Sequence, residues 1–311
     1  MSYAQYGTIA ALDYNALVGG DPVTSSGTLN AVWATGGTNT GYGQTAEANV
    51  AAGDSVTAVK WANLTGKTSN SASHQGTSIT AVTTPVSGGI ITYASAISTN
   101  LTTIYNSRLN AASQGSTTAN TATFGSTWSA ALTFTHTVTF ANANAARYFF
   151  NAGGQLKVTC SHANTATSIN QLYNGLASNI GTVVVSSPTT GSVTINSTSF
   201  NGVTKVGGGG NSPTINTNTG YYALTTSNAN VFTQLASTGP SGYLSSFIRV
   251  IAASNGSPGA TVTLYTVWDE VPDGLTVGSG SATTVTAQAP ETTYLANTWG
   301  TISVTGTVSG S

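Results

Sequence analysis

The stretch from Trp128 to Cys160 constrains the fold more than any other part of this sequence. Between Trp128 and Phe140 a mostly apolar side chain occupies every even position, and serine, threonine or alanine fills the odd positions. A period of two is typical of a strand with one buried face and one solvated face. The same alternation returns at Leu156, Val158 and Cys160. The sequence therefore predicts two strands joined by the short segment that separates them.

That joining segment combines three consecutive aromatic residues with two glycines. We expect it to be a compact aromatic connector that fills the open end of a sandwich, each buried ring contributing on the order of 2 kcal/mol. Arg147 would pair with a backbone carbonyl or a carboxylate, and the glycines would allow positive φ values where the chain turns into its next strand. The residues of this structural signature are Arg147, Tyr148, Phe149, Phe150, Asn151, Gly153 and Gly154.

The remainder of the chain after Cys160 is predicted to be mostly strands separated by turn residues. One helix is expected over 168–180 because apolar residues recur there at helical spacing. This pattern favours a mainly β fold: an antiparallel, jelly-roll-like β-sandwich over 126–311, with several short helices and one longer helix. The predicted strands lie at 182–187, 192–195, 221–225, 247–252, 261–268 and 301–308.

Residues 1–112 are predicted to form a helical region for attachment or oligomerisation. Short helices are expected around Ile9 to Leu17 and around Leu29 to Trp33, and Asp54 or Ser55 could cap a third. The longest helix, from about 89 to 109, has apolar residues three and four positions apart, so it either packs within the subunit or forms a seam between identical subunits. The candidate seam residues are Ile90, Ala94, Ile97, Leu101, Ile104 and Tyr105.

A polar, low-complexity segment at 113–125 is predicted to link the helical region to the sandwich. Charged residues make up only 5% of the 311 positions, and the formal net charge is −1. The surface must therefore be covered by Ser, Thr, Asn and Gly, which leaves little charge repulsion to keep copies apart. Such a composition favours a component of a particle or layer over a free enzyme.

Other classes are disfavoured by simple counts. The seven Lys and Arg residues are scattered, which argues against nucleic-acid binding. No apolar run approaches the roughly 18 residues of a spanning helix, so no membrane insertion is expected. The start of the chain lacks the pattern of a cleaved export signal, so we expect synthesis and assembly in a cytoplasm. The single cysteine, Cys160, is expected to be a small buried hydrophobe.

Candidates for chemistry are few. His74, His136 and His162 have no partner at metal-ligand spacing, and His136 is expected to be buried in the core or between subunits. The three acids Asp269, Glu270 and Asp273 could hold Ca²⁺ at a loop, but a solvated strand end is the favoured interpretation. Adjacent strand residues face opposite sides, so Asp269 and Glu270 are a poor acid–base pair. We predict no catalysis, no metal and no cofactor.

Aromatic residues are the remaining candidates for contacting a ligand or a partner. Trp128 and Trp268 are expected in the core, whereas Tyr42 and the pair Tyr221-Tyr222 are better candidates for stacking on sugars or on a neighbouring subunit. Glycine- and asparagine-rich loops around 207–220 and 253–260 would frame such a surface. Host surface glycans are therefore possible partners beside other copies of the chain.

Several motifs resemble virion structural proteins of tailed bacteriophages, often described as tail fibre or structural protein, notably in myophages of aquatic bacteria. The most specific is the segment Ala146–Gly154. The others are Asp13–Leu17, Gly41-Tyr42-Gly43-Gln44, Val56–Leu64, His74–Thr77, Trp268-Asp269 and Trp299.

This resemblance implies a structural virion protein, in a fibre, collar or tail appendage, that assembles with itself and with other virion proteins and brings no catalytic residues. The alternative is a receptor- or carbohydrate-binding module of a phage fibre.

Overall fold

The computed structural model describes residues 11–20, 25–86 and 93–310, and its main body is an antiparallel β-sandwich preceded by short helices. The strands are β1 (Gln114–Phe124), β2 (Ala131–Thr139), β3 (Gln155–His162), β4 (Thr182–Val185), β5 (Val193–Ile195), β6 (Thr198–Phe200), β7 (Val203–Val206), β8 (Thr214–Ile215), β9 (Ala229–Leu235), β10 (Phe247–Ser254), β11 (Thr261–Asp269), β12 (Ser281–Pro290) and β13 (Ser303–Gly310).

Two sheets make the sandwich, and β5 and β6 form a separate hairpin. The five-stranded sheet has the order β1-β12-β3-β4-β7, and the six-stranded sheet has the order β13-β2-β11-β10-β9-β8. Every ladder is antiparallel. The predicted fold class is confirmed.

The alternating pattern that dominated the sequence corresponds to β2 and β3. Leu132, Phe134, His136 and Val138 all point inward and are fully buried. The two strands lie in different sheets, so the segment between them has to cross from one sheet to the other. It does so as a helix, α5 (Ala143–Asn151), where the sequence predicted only a compact connector.

The predicted linker at 113–125 is wrong, because most of it is β1. This strand pairs with β12 from Gln114 opposite Pro290 to Phe124 opposite Ser281. It lies at the edge of its sheet, and most of its Ser and Thr side chains are exposed. A polar edge strand lacks the apolar alternation by which buried strands are recognised, which is why it was mistaken for a linker.

Polar side chains of β12 face the core and bind aromatic residues there. The Trp128 indole N–H donates to Ser281 Oγ at 3.2 Å, and the Trp268 indole N–H donates to Thr283 Oγ1 at 3.3 Å. All four residues are at most 2% exposed. Both tryptophans are core residues, as predicted, and the hydroxyls satisfy donors that burial would otherwise leave without partners.

The other helices are α1 (Ala11–Val18), α2 (Leu29–Trp33), α3 (Ala58–Gln75), α4 (Ala94–Asn106) and α6 (Ser168–Asn179). The first two and α6 lie where the sequence predicted helices, although Ile9 is outside the described residues. Thr57, and not Asp54 or Ser55, caps α3, its side chain accepting from the Lys60 backbone N–H at 3.4 Å. Within the described residues no helix is long and apolar enough to span a membrane.

The helix predicted at 89–109 is α4, and its apolar stripe packs inside the subunit. Ala94, Ile97, Leu101 and Ile104 are at most 6% exposed, and the last three belong to the same core as the sandwich. Tyr105 is half-buried with the Arg108 guanidinium over its ring, 4.6 Å from the centroid. Ile90 lies outside the described residues. Of the two interpretations of this stripe, packing within the subunit is confirmed and a seam between subunits is wrong for the four buried residues.

Most predicted strands in the second half of the chain are confirmed, with one exception. Residues Tyr221–Ala223 form a 3₁₀ turn instead of the strand predicted at 221–225. The sequence pattern does not predict β6, β7, β8, β9 or β12.

Candidate functional site

The signature helix α5 closes one end of the sandwich with its aromatic side chains. Asn142 caps it by accepting from the Ala145 backbone N–H at 2.9 Å. Phe149 and Phe150 are fully buried, and Phe150 stacks on Tyr221 with ring centroids 4.1 Å apart. Phe140 completes the cluster, 5.1 Å from the Phe149 ring. The predicted role of these rings as a plug is therefore confirmed, although they sit on a helix.

Polar residues of α5 hold the turn that follows α2. Arg147 donates to the carbonyls of Thr35, Thr38 and Thr40 over 3.0–3.3 Å. Asn151 Nδ2 donates to the carbonyls of Thr40 and Gly41 at 3.0 and 2.9 Å. Carbonyls of an irregular turn have no regular secondary-structure partners, and these donors satisfy them. The signature thus fastens the N-terminal helices to the sandwich.

Three glycines allow this close packing. A Cβ on Gly154 would lie 2.6 Å from the Phe149 ring, and a Cβ on Gly43 would lie 2.4 Å from the Tyr148 ring. Gly153 has φ +87° and Gly43 has φ +71°, the left-handed region that favours glycine. Only Gly153 of the predicted pair needs a positive φ; Gly154 is needed because the aromatic ring occupies the space of a side chain.

Tyr42 of the Gly-Tyr-Gly-Gln motif is a buried anchor, so the prediction of a surface tyrosine is wrong. Its hydroxyl donates to the Arg108 carbonyl and accepts from Gln75 Nε2, both at 2.8 Å. Thr298 Oγ1 donates to the Tyr42 carbonyl at 2.5 Å. Burial raises the pKa of Tyr42 above its usual range.

The second surface candidate, the pair Tyr221-Tyr222, is also built into the interior. Tyr221 is fully buried and donates to the Gly259 carbonyl at 2.8 Å. Tyr222 is half-buried and donates to Asn151 Oδ1 at 2.6 Å, which positions that amide for the turn. Of the loops predicted to frame a binding surface, the glycine run at 207–210 is exposed.

The acidic cluster divides between two environments. Glu270 is 1% exposed, and its carboxylate accepts from the backbone N–H groups of Gly274 and Leu275 at 3.1 and 3.2 Å. Asp269 is half-buried on the opposite, outer side of its sheet. Burial raises the pKa of both carboxyls. Among the described residues no group of three or more His, Cys, Asp or Glu side chains could hold a metal ion.

The histidines and the cysteine are structural. His74 is 2% exposed and pairs with the Ala152 carbonyl at 3.1 Å, and burial lowers its pKa to about 4. His162 Nδ1 pairs with Ser281 Oγ at 3.0 Å. His136 is fully buried, and among the described residues neither of its ring nitrogens has a hydrogen-bond partner. Cys160 is half-buried with a thiol pKa raised by burial to about 12, so it is a poor nucleophile at neutral pH.

An open groove lies beside the signature helix, where no binding residues were predicted. It has a volume of about 500 Å³. Its polar lining includes Asn142, Asn144, Tyr148 and Thr298, and it carries no charged side chain. Trp299 also lines the groove and is 2% exposed. Uncharged amides and hydroxyls around an aromatic residue suit a neutral, hydroxyl-rich ligand.

The outer surface of the sandwich is covered by threonine. On β2, outward positions carry Thr133, Thr135, Thr137 and Thr139. The neighbouring strands β13 and β11 place further hydroxyl side chains beside them in register. The residues opposite these threonines are Ser303, Thr305, Thr307 and Ser309 on β13, and Thr261 and Thr263 on β11. The result is a broad, uncharged sheet surface.

No family model, curated protein or solved structure matches this chain.

Proposed function

We propose that this chain is a structural, non-catalytic subunit of a tailed-phage virion, located in a fibre, collar or tail appendage. It assembles with copies of itself and with other virion proteins. The observation that carries the proposal is the uncharged threonine surface of the sandwich, whose side chains pair readily with a similar surface and repel it little. The signature helix supports it by fixing the N-terminal helices rigidly to that sandwich.

Light scattering coupled to size-exclusion chromatography of the full chain tests the assembly part of this proposal. We expect a defined oligomer at micromolar concentrations, with a mass that is a whole multiple of 31.1 kDa. A single monomeric species at high concentration, together with no association with phage particles, would count decisively against it.

A second function, recognition of a neutral saccharide, is favoured by the groove beside α5. Its lining of amides, hydroxyls and the half-buried Tyr148 ring can hydrogen-bond and contact a neutral sugar. Ala141 is exposed at the rim, so Ala141→Trp would fill the groove without disturbing the core.

Glycan-array binding by the wild-type chain that is lost in Ala141→Trp would support the saccharide function. Thr159→Trp, an exposed substitution on the five-stranded sheet outside the groove lining, is the control and should bind as the wild type does. Equal binding by all three proteins, or none by the wild type, would reject it.

A further inference from the structure

The outward-facing surface of the six-stranded sheet changes in polarity from one strand to the next. Beyond the threonines of β2, five outward residues of β9, β10 and β11 are apolar. They are Leu235, Phe247, Ile251, Tyr265 and Val267. Leu235 is 46% exposed, and the other four are half-buried. We call this apolar patch together with its flanking threonines the outer face.

Two charged residues lie on the outer face, and they have opposite signs. Arg249 is paired in register with Val267, and Asp269 is paired with Phe247, so the two charges sit diagonally across β10 and β11. Such diagonal neighbours are separated by roughly 7–8 Å. The Arg249 guanidinium lies over the Phe247 ring at 4.4 Å from the centroid.

Burial raises the pKa of Asp269 and the nearby Arg249 partly offsets this, so the two charges attract each other within the subunit without a close ion pair. Among the described residues, no ion pair or hydrogen bond engages the Arg249 guanidinium or the Asp269 carboxylate. The Nε atom of Arg249 is buried from solvent and has no acceptor. A buried guanidinium N–H without an acceptor is costly, so the surface is complete only when another group supplies one.

The outer face has the composition of a protein–protein interface. Aromatic residues and arginine are enriched in interface cores, whereas other charged residues are depleted. Strands ~4.8 Å apart and a rise of ~3.3 Å per residue give five strands of eight residues an area of roughly 600 Å². Two such faces would bury roughly 1,200 Å², the lower end of the range for specific interfaces.

We propose that the outer face is the contact between two copies of this chain, with Arg249 of each copy paired to Asp269 of the other. This inference rests on the proposed function, because it names the surface by which the subunit self-assembles. One cation and one anion on the same face are self-complementary. A two-fold axis that lies in the interface plane, midway between the two charges, places Arg249 of each copy opposite Asp269 of the other. The pair therefore forms twice in the dimer. The apolar patch and the threonine methyls then interdigitate as in a sheet-on-sheet packing.

Charge reversal tests the pairing with the full chain in sedimentation-velocity experiments. Arg249→Asp produces a face with two acids, and Asp269→Arg produces a face with two bases. Each variant alone should dimerise at least ~100-fold more weakly than the wild type, since like charges then meet. An equimolar mixture of the two variants should recover the association. If Arg249 instead pairs with Asp269 of its own subunit, mixing the two variants should not restore association.

Two further variants distinguish loss of the contact from a general effect of changing a charge. Lys157→Asp reverses a charge on the outer side of the five-stranded sheet and should assemble like the wild type. Thr135→Arg places a bulky charged side chain on a half-exposed position of the outer face and should weaken association as the reversals do. Near-ultraviolet circular dichroism establishes that each variant is folded.

The outcomes separate this inference from the proposed function. A wild-type oligomer whose mass is unchanged by Arg249→Asp, Asp269→Arg and Thr135→Arg would overturn the outer face as the contact and leave self-assembly standing. A wild-type chain that remains monomeric, with no association in the mixture, would overturn both.

Discussion

At the scale of single residues, the signature segment works by satisfying backbone groups that lie far away in sequence. Arg147 reaches three carbonyls of the turn after α2, and Asn151 reaches two. Tyr222 orients the Asn151 amide from the opposite side. Because these contacts join residues more than 70 positions apart, sequence patterns indicate that the segment matters without showing what it touches.

Glycine substitutions give the sharpest residue-scale prediction. Gly154→Ala forces a Cβ to within 2.6 Å of the Phe149 ring, so we expect a loss of about 1–3 kcal/mol in the free energy of unfolding. Gly66→Ala is the matched control. Gly66 is an exposed position of α3 with open space around it, so alanine should stabilise by about 0.5–1 kcal/mol.

Chemical denaturation of the two glycine variants measures both effects. Equal unfolding free energies for Gly154→Ala and the wild type would contradict the close contact between residue 154 and the plug.

At the scale of elements, the sequence predicted those strands whose two faces differ in polarity. β2 alternates apolar and polar side chains, and the sequence predicts its buried face correctly. β1 exposes most of its side chains, and β12 turns Ser281 and Thr283 inward to meet tryptophan indoles. The positions of such strands depend on the residues that they contact across the core. Those contacts cannot be read from the local sequence pattern.

The proximity of Arg249 and Asp269 on the outer face could not be predicted from the sequence, for a related reason. Arg249 and Asp269 are 20 positions apart and become neighbours only through the register of β10 with β11. The same acid appeared in the sequence as part of a cluster with Glu270 and Asp273. The structure separates that cluster, because alternate strand residues point to opposite sides.

The role of α4 leads to a prediction at this scale. Leu101 is fully buried within the subunit, so Leu101→Ala should lower the free energy of unfolding by about 2–5 kcal/mol and leave the oligomer mass of the folded protein unchanged. Thr102→Ala, at the neighbouring exposed position, should be near neutral. Denaturation curves and light scattering provide the two readouts. A Leu101→Ala chain that keeps its stability but loses its oligomer would mean that α4 is a subunit seam after all.

At the scale of the whole molecule, one apolar core runs through both the N-terminal helices and the sandwich. Tyr14 and Trp61 from the helices belong to the same buried cluster as Phe134 and Trp268 from the sheets. Glu47 joins α1 to α3, because its carboxylate accepts from the Tyr14 hydroxyl at 3.2 Å and lies 2.8 Å from Lys67 Nζ. We therefore expect the described part of the chain to unfold as one cooperative unit.

All three histidines share a depressed pKa, which makes whole-molecule stability depend on pH. Burial lowers the pKa of His74 to about 4 and also lowers the pKa of His136 and His162. At these three sites the unfolded chain then binds more protons than the folded chain below pH 6.5. The histidines' contribution to the free energy of unfolding is therefore fully present above that pH and is lost as pH decreases. His74 alone should cost about 2 kcal/mol at pH 5.

Thermal unfolding between pH 7.5 and 5 measures this dependence. His74→Gln keeps a donor for the Ala152 carbonyl and removes the titrating group, so its melting temperature should fall less steeply with decreasing pH. An identical slope for the variant and the wild type would show that His74 does not contribute.

The most direct test of the account is quantitative mass spectrometry of purified tailed-phage particles produced from a genome that carries this sequence. We predict that the chain is present in intact particles at a fixed number of copies greater than one, as the proposed role of a self-assembling structural subunit requires. Its absence from particles, with the chain abundant in the infected-cell lysate, would contradict the central claim.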